Sequence, residues 1–149
     1  MTDQPEQTGQ TVVVGVDGSD ISIEALRWAC GLASVTGGTV EAITTWQWPM
    51  SLGTAIPFPA EYDPAGDAQR MLDGIVEPLA AVFPAVSIRA RAVEGHPGEV
   101  LAAASRQADL LVVGSRGHGE IAGVLLGSVS QHCVTHGCCS VLVYRHRQP

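Results

Sequence analysis

The chain has 149 residues, 46% hydrophobic and 15% charged, which suits one folded domain with a sizeable core. A net charge of −7 argues against a nucleic-acid surface, and the complete absence of lysine excludes a Walker A phosphate loop and any Schiff-base lysine. Residues 1–10 are polar, without the cationic start and apolar stretch of a signal peptide, and no apolar run approaches the roughly 20 residues of a membrane span, so a cytoplasmic domain over 11–149 with a short leader is expected.

Apolar, β-branched runs alternate with helical periodicity, the pattern of repeated βα units around a parallel sheet. The first strand runs from Thr11 to Val16 and closes at Asp17-Gly18. Ser19 suits the N-cap of a helix that carries Ile23, Leu26, Cys30 and Ala33 on one face and ends at Thr36-Gly37-Gly38. A second strand spans Thr39 to Trp46. From Trp48 to Pro64, Pro49, Pro57, Pro59 and Pro64 with Gly53 between them predict a long loop without regular structure.

A second helix covers about Pro64 to Phe83, with Met71, Ile75, Leu79 and Val82 in register. The third strand, Val86 to Val93, sets Val86, Ile88, Ala90 and Ala92 against Ser87, Arg89 and Arg91. A helix from Pro97 to Gln107 carries proline in its first turn, where the missing N–H costs nothing. The fourth strand, Asp109 to Val113, is continuously apolar, as a strand buried on both faces should be. A last helix starts near Gly127-Ser128 and ends by Gly137, before a closing strand from Ser140 to Tyr144. The tally is five strands and four helices in a single α/β domain.

Cys30, Cys133, Cys138 and Cys139 read as free thiols of a reducing compartment. His132, Cys133, His136 and Cys138 fall within seven residues, yet match no structural zinc spacing. His132 and His136, spaced i, i+4, suit a boundary or exposed face, and His96 suits a turn. Trp46 and Trp48 suit packing at the mouth of the loop that they bracket, a loop in a position to cover a bound base.

The informative stretch leaves the carboxyl end of the fourth strand as Gly114-Ser115-Arg116-Gly117-His118-Gly119 and re-enters a helix at Gly127-Ser128-Val129-Ser130. In open α/β sheets that edge is where ligands sit. Glycines let the backbone approach a ligand closely and can adopt positive φ. The N–H groups of Ser128, Val129 and Ser130 at the helix start form an anion site, to which the Ser128 and Ser130 hydroxyls add donors. Arg116 and His118 are placed to screen phosphate charge or to stand in solvent.

These features resemble the universal stress protein family. The resemblance rests on Val12-Val13-Val14-Gly15-Val16-Asp17-Gly18-Ser19, on Asp109-Leu110-Leu111-Val112-Val113-Gly114-Ser115-Arg116-Gly117, on Leu126-Gly127-Ser128-Val129-Ser130, and on Val141-Leu142-Val143. It implies a Rossmann-like open sheet of order 3-2-1-4-5 flanked by four helices. The spacing Gly-x2-Gly-x9-Gly-Ser is similar to the form of the family that binds ATP. It implies that Gly15, Val16 and Asp17 lie on the binding edge, with Asp17 near the ribose or a Mg2+ ion and Thr45 beside the adenine. It also implies a homodimer through Ser140, Val141, Leu142, Val143 and Tyr144. The family often has prolines around the cysteine before its last strand; here Cys138 and Ser140 flank Cys139.

The function expected is an ATP-binding regulatory or signalling module of the stress response, with other adenine nucleotides as alternative ligands. The alternatives are a slow ATP hydrolase, with Asp17 or Glu120 orienting a water, and a dimeric interaction protein with a vestigial pocket. No paired base and metal-ligand set marks a fast enzyme.

Overall fold

The computed structural model describes residues 9–51, 53–55, 57–117 and 125–146. Five parallel strands form one open sheet: β1 (Thr11–Gly15), β2 (Thr39–Trp46), β5 (Ser87–Glu94), β6 (Leu110–Gly114) and β7 (Ser140–Tyr144), in the order β5-β2-β1-β6-β7. Counted within that sheet alone, the order is the expected 3-2-1-4-5. The central β1 aligns Val13 with Glu41 of β2 on one side and with Leu111 of β6 on the other.

Helices α1 (Asp20–Thr36), α2 (Pro64–Val82), α3 (Pro97–Ala104) and α4 (Ser128–His136) cover the two faces. A strand alternates its side chains between faces, so neighbouring valines of β1 enter different cores. Val12 and Val14 pack with Ala25, Leu26 and Ala29 of α1 and Leu72 of α2. Val13 packs instead with Ile43, Leu111, Leu101 of α3 and Cys133 of α4. Both faces are buried, hence the unbroken apolar runs of β1 and β6.

Local signals set the ends. The Ser19 side chain accepts from the Ser22 N–H, and α1 stops at Gly37, which takes a left-handed φ of 74° and donates to the Ala33 carbonyl. The Asp63 carboxylate caps α2 at the Gly66 N–H, 3.0 Å away. The expected third helix is shorter than its sequence range: Ser105–Gln107 tighten into a 3₁₀ turn.

One expectation is corrected. The segment after Trp48 is not wholly irregular, because β3 (Met50–Ser51) and β4 (Thr54–Ala55) pair antiparallel. Pro49 and Pro57 flank this small hairpin and do not sit within it, and Gly53 supplies a positive φ of 77° at its turn. Ring contacts join Trp46 to Trp48, Trp48 to Tyr62, and Tyr62 to Phe58, so both tryptophans do pack at the mouth of this segment.

Candidate ligand-binding site

The carboxyl ends of β1, β2 and β6 open onto a cavity of about 700 Å³. Its floor is the strand edge: Gly15 at the end of β1 with Val16 and Asp17 after it, Thr44 and Thr45 of β2, and Gly114 at the end of β6 with Arg116 and Gly117 after it. Its walls come from Ala68 and Met71 of α2, Pro97 and Leu101 of α3, and the first turn of α4. The cavity therefore lies where the chain order of the strands reverses, the place an open α/β sheet offers a ligand.

The start of α4 gives this cavity its charge preference. Gly127 is the N-cap, and it has no side chain with which to cap the helix's first N–H groups. The N–H groups of Ser128, Val129 and Ser130 belong to the turn that has no intrahelical carbonyl to reach. They stand at the positive end of the helix dipole, beside Arg116. This end of the cavity is built for an anion.

The two ends of the loop that carries the motif are tied by one residue. Ser115 is buried, and its N–H donates to the Tyr144 carbonyl at 2.7 Å. Its own carbonyl accepts from the Gly127 N–H at 2.7 Å and from the Ser130 hydroxyl at 3.1 Å. Ser115 is not among the residues that line the cavity; its backbone bonds make it a clasp behind them. The same bonds correct the role given to the Ser130 hydroxyl. Its single proton is directed to the carbonyls of Ser115 and Gly127, the latter at 2.9 Å, leaving the exposed Ser128 hydroxyl as the side-chain donor of this turn.

The glycines act by close approach and not by unusual backbone angles. Positive φ occurs at Gly18, Gly37, Gly53 and Gly95, and at none of Gly114, Gly117 and Gly127. A Cβ on Gly117 would stand 2.5 Å from the Asp17 Oδ2, and one on Gly127 would be 3.4 Å from the Arg116 Cα. Asp17 stands between the turn into α1 and the loop after β6. Its Oδ1 accepts from the Ser19 N–H at 2.9 Å, organising the turn into α1, while its Oδ2 faces the glycine loop.

Of the other expected contacts, Gly15, Val16, Thr45, Gly114, Arg116, Gly117, Gly127, Ser128, Val129 and Ser130 all line the cavity; His118 and Gly119, like Glu120, lie outside the described residues. The sequence reading missed Met71, Ala68, Pro97 and Leu101. Pro97 had a readable signal, because it opens a helix straight after a strand on the same edge. Met71 looked like any other core position of its helix.

Cys30 and Cys133 lie in the core, where burial pushes each thiol up to about 11, and neither touches the site.

The universal stress protein family (Usp) matches the chain over residues 9–145. Universal stress protein Rv2624c of Mycobacterium tuberculosis is 33% identical over 152 residues, covering 99% of this chain and 52% of that protein. The chain spans about half the length of this and other mycobacterial relatives that it matches. A universal stress protein solved in complex with cAMP is 33% identical with a TM-score of 0.66, over 90% of this chain and 94% of that one. An Arabidopsis thaliana family member solved with AMP bound, at 23% identity and a TM-score of 0.63 over 93% and 92% of the two chains, shares the fold.

Proposed function

The chain belongs to the universal stress protein family, and we propose that it binds an adenine nucleotide, ATP foremost, as a cytoplasmic regulatory module of the stress response. The observation that carries this reading is the α4 N-terminus, left without a side-chain cap and opening beside Gly117 into a cavity of about 700 Å³. That volume is in the range of small-molecule sites, roughly 300–1,000 Å³. The relative at 33% identity that was solved with cAMP supports the choice of an adenine nucleotide.

In this reading the phosphates lie against Gly117, Gly127 and the N–H groups of Ser128, Val129 and Ser130, with Arg116 as the cation. The base lies towards Val16, Thr45 and Met71, and the ribose near Asp17. A Mg2+ ion, held chiefly by phosphate oxygens, would take Asp17 as its protein carboxylate and neutralise phosphate charge. Among the described residues no group of three or more His, Cys, Asp or Glu side chains is placed to hold a metal ion.

Binding without efficient turnover follows. The helix N-terminus stabilises phosphate charge in the ground state, which does not by itself lower a barrier. With Arg116 and Asp17 the one cation and one carboxylate among the described lining residues, hydrolysis should run far below the ~10 s⁻¹ of a median enzyme. The homodimer belongs to the same proposal: β7 is an edge of the sheet, with Val141, Leu142, Val143 and Tyr144 half-buried, and a second copy would pair its open side.

Mass spectrometry of nucleotide released from protein purified without added ligand tests the ligand class. An adenine nucleotide in near-equal ratio to the chain is expected; a nucleotide-free protein that also gives no heat with ATP, ADP, AMP or cAMP would overturn the reading. Phosphate release with Mg-ATP should stay near background, and turnover abolished by Gly127→Val would move the protein among the enzymes. Sedimentation at micromolar concentration should show a dimer.

A further inference from the structure

Away from the nucleotide cavity, α4 carries a second constellation. His132 and His136 are one turn apart, and their ring centres stand 4.4 Å from each other. The His132 ring is seated by α3: Gly98 is buried, and a Cβ there would come within 2.8 Å of the ring. The absence of a side chain at Gly98 thus makes room for an imidazole held in place. His136 is exposed in the last turn of α4, where the helix dipole favours positive charge.

We propose that His132 and His136 form a chelating site for a divalent transition metal, with Ni2+ and Cu2+ preferred to Zn2+. Histidines at i and i+4 on one helix face are a working arrangement for holding a metal. The ring separation selects the geometry. Two imidazoles on one ion, with nitrogens about 2.1 Å from the metal, place their centres roughly 4.6 Å apart at a 90° angle and roughly 5.3 Å apart at the tetrahedral angle. The observed 4.4 Å matches the right angle, which square-planar and octahedral ions use and tetrahedral Zn2+ does not.

The ligand set is these two rings completed by water. Cys133 lies between them in sequence but is fully buried in the core, packed away from the exposed His136. The His96 ring centre is 6.5 Å from that of His132, too far for the right-angle pairing that His132 and His136 make. An acidic chain of net charge −7 favours the added cation.

Titration calorimetry with NiCl2 on the untagged, full chain tests the site. One ion per chain is expected, and His136→Ala should weaken it roughly tenfold or more, since a chelate reduces to a single ligand. His136 is exposed, so that variant keeps its fold, which circular dichroism checks. His132→Ala should do the same, while His96→Ala and His146→Ala leave affinity unchanged. Ni2+ should bind more tightly than Zn2+. Absence of Ni2+ binding, affinity indifferent to His136→Ala, loss on His96→Ala, or a preference for Zn2+ would each overturn the proposal.

Discussion

The N-termini of α1 and α4 sit on the same edge of the sheet, each following a strand that ends in glycine, yet they are finished differently. At α1, Ser19 turns its hydroxyl onto the first-turn N–H of Ser22, and Asp17 in turn accepts from Ser19. At α4, Gly127 offers no side chain, and the Ser130 hydroxyl in the same turn faces inward to two carbonyls. One helix satisfies its own positive end; the other leaves it to whatever enters the cavity. Capping is usually read as a stability device, and here its absence is the more informative sign, because an uncapped end is costly unless something else fills it.

The most severe way to break this contrast is to give α4 a cap of its own. Gly127→Asp has a compatible backbone, with φ −70° and ψ 166°, and would place a carboxylate on the N–H groups that the phosphate needs. ATP affinity should fall by about 100-fold or more, roughly 2.7 kcal/mol, with thermal stability kept or raised; calorimetry and a melting curve read both. Next in size is Gly117→Val. Its Cβ would meet the Asp17 carboxylate at 2.5 Å and force the two loops apart, so affinity should drop more than about tenfold in a chain that still folds.

Removing the cap that α1 does have should give the opposite signature. Ser19→Ala should cost about 1 kcal/mol of stability in urea unfolding and leave ATP affinity within about threefold. The smallest effects separate the two serines of α4. Ser128→Ala should weaken ATP binding by about three- to tenfold without changing stability, whereas Ser130→Ala should cost about 1 kcal/mol of stability, because its hydrogen bonds are internal.

The α1 end and the glycine spacing were legible in the sequence because both depend on local chemistry. Ser19 caps as its residue type predicts, and Gly114, Gly117 and Gly127 come together at the strand edge that apolar runs alone located. What was not legible depends on distant partners. Ser130 looks like a phosphate donor in the sequence, and only the return of the chain from Ser115 to Gly127 turns its hydroxyl inward. Residue type leaves the loop glycines free to take positive φ, whereas the space that Gly117 keeps open is decided by Asp17, a hundred residues away. Met71 was invisible for the same reason: its helical periodicity shows that it faces the sheet, not that it does so at the rim of a cavity. The Met50–Ala55 hairpin was hidden by prolines that frame it.

The contrast between the two helix ends is tested most directly by backbone amide resonances during titration with ATP and, in parallel, with adenosine. Downfield shifts produced by ATP and not by adenosine should concentrate on Ser128, Val129 and Ser130, while Ile21, Ser22 and Ile23 in the first turn of α1 show none. Phosphate-dependent shifts at α1, or their absence from α4 in a protein saturated with ATP, would contradict the account.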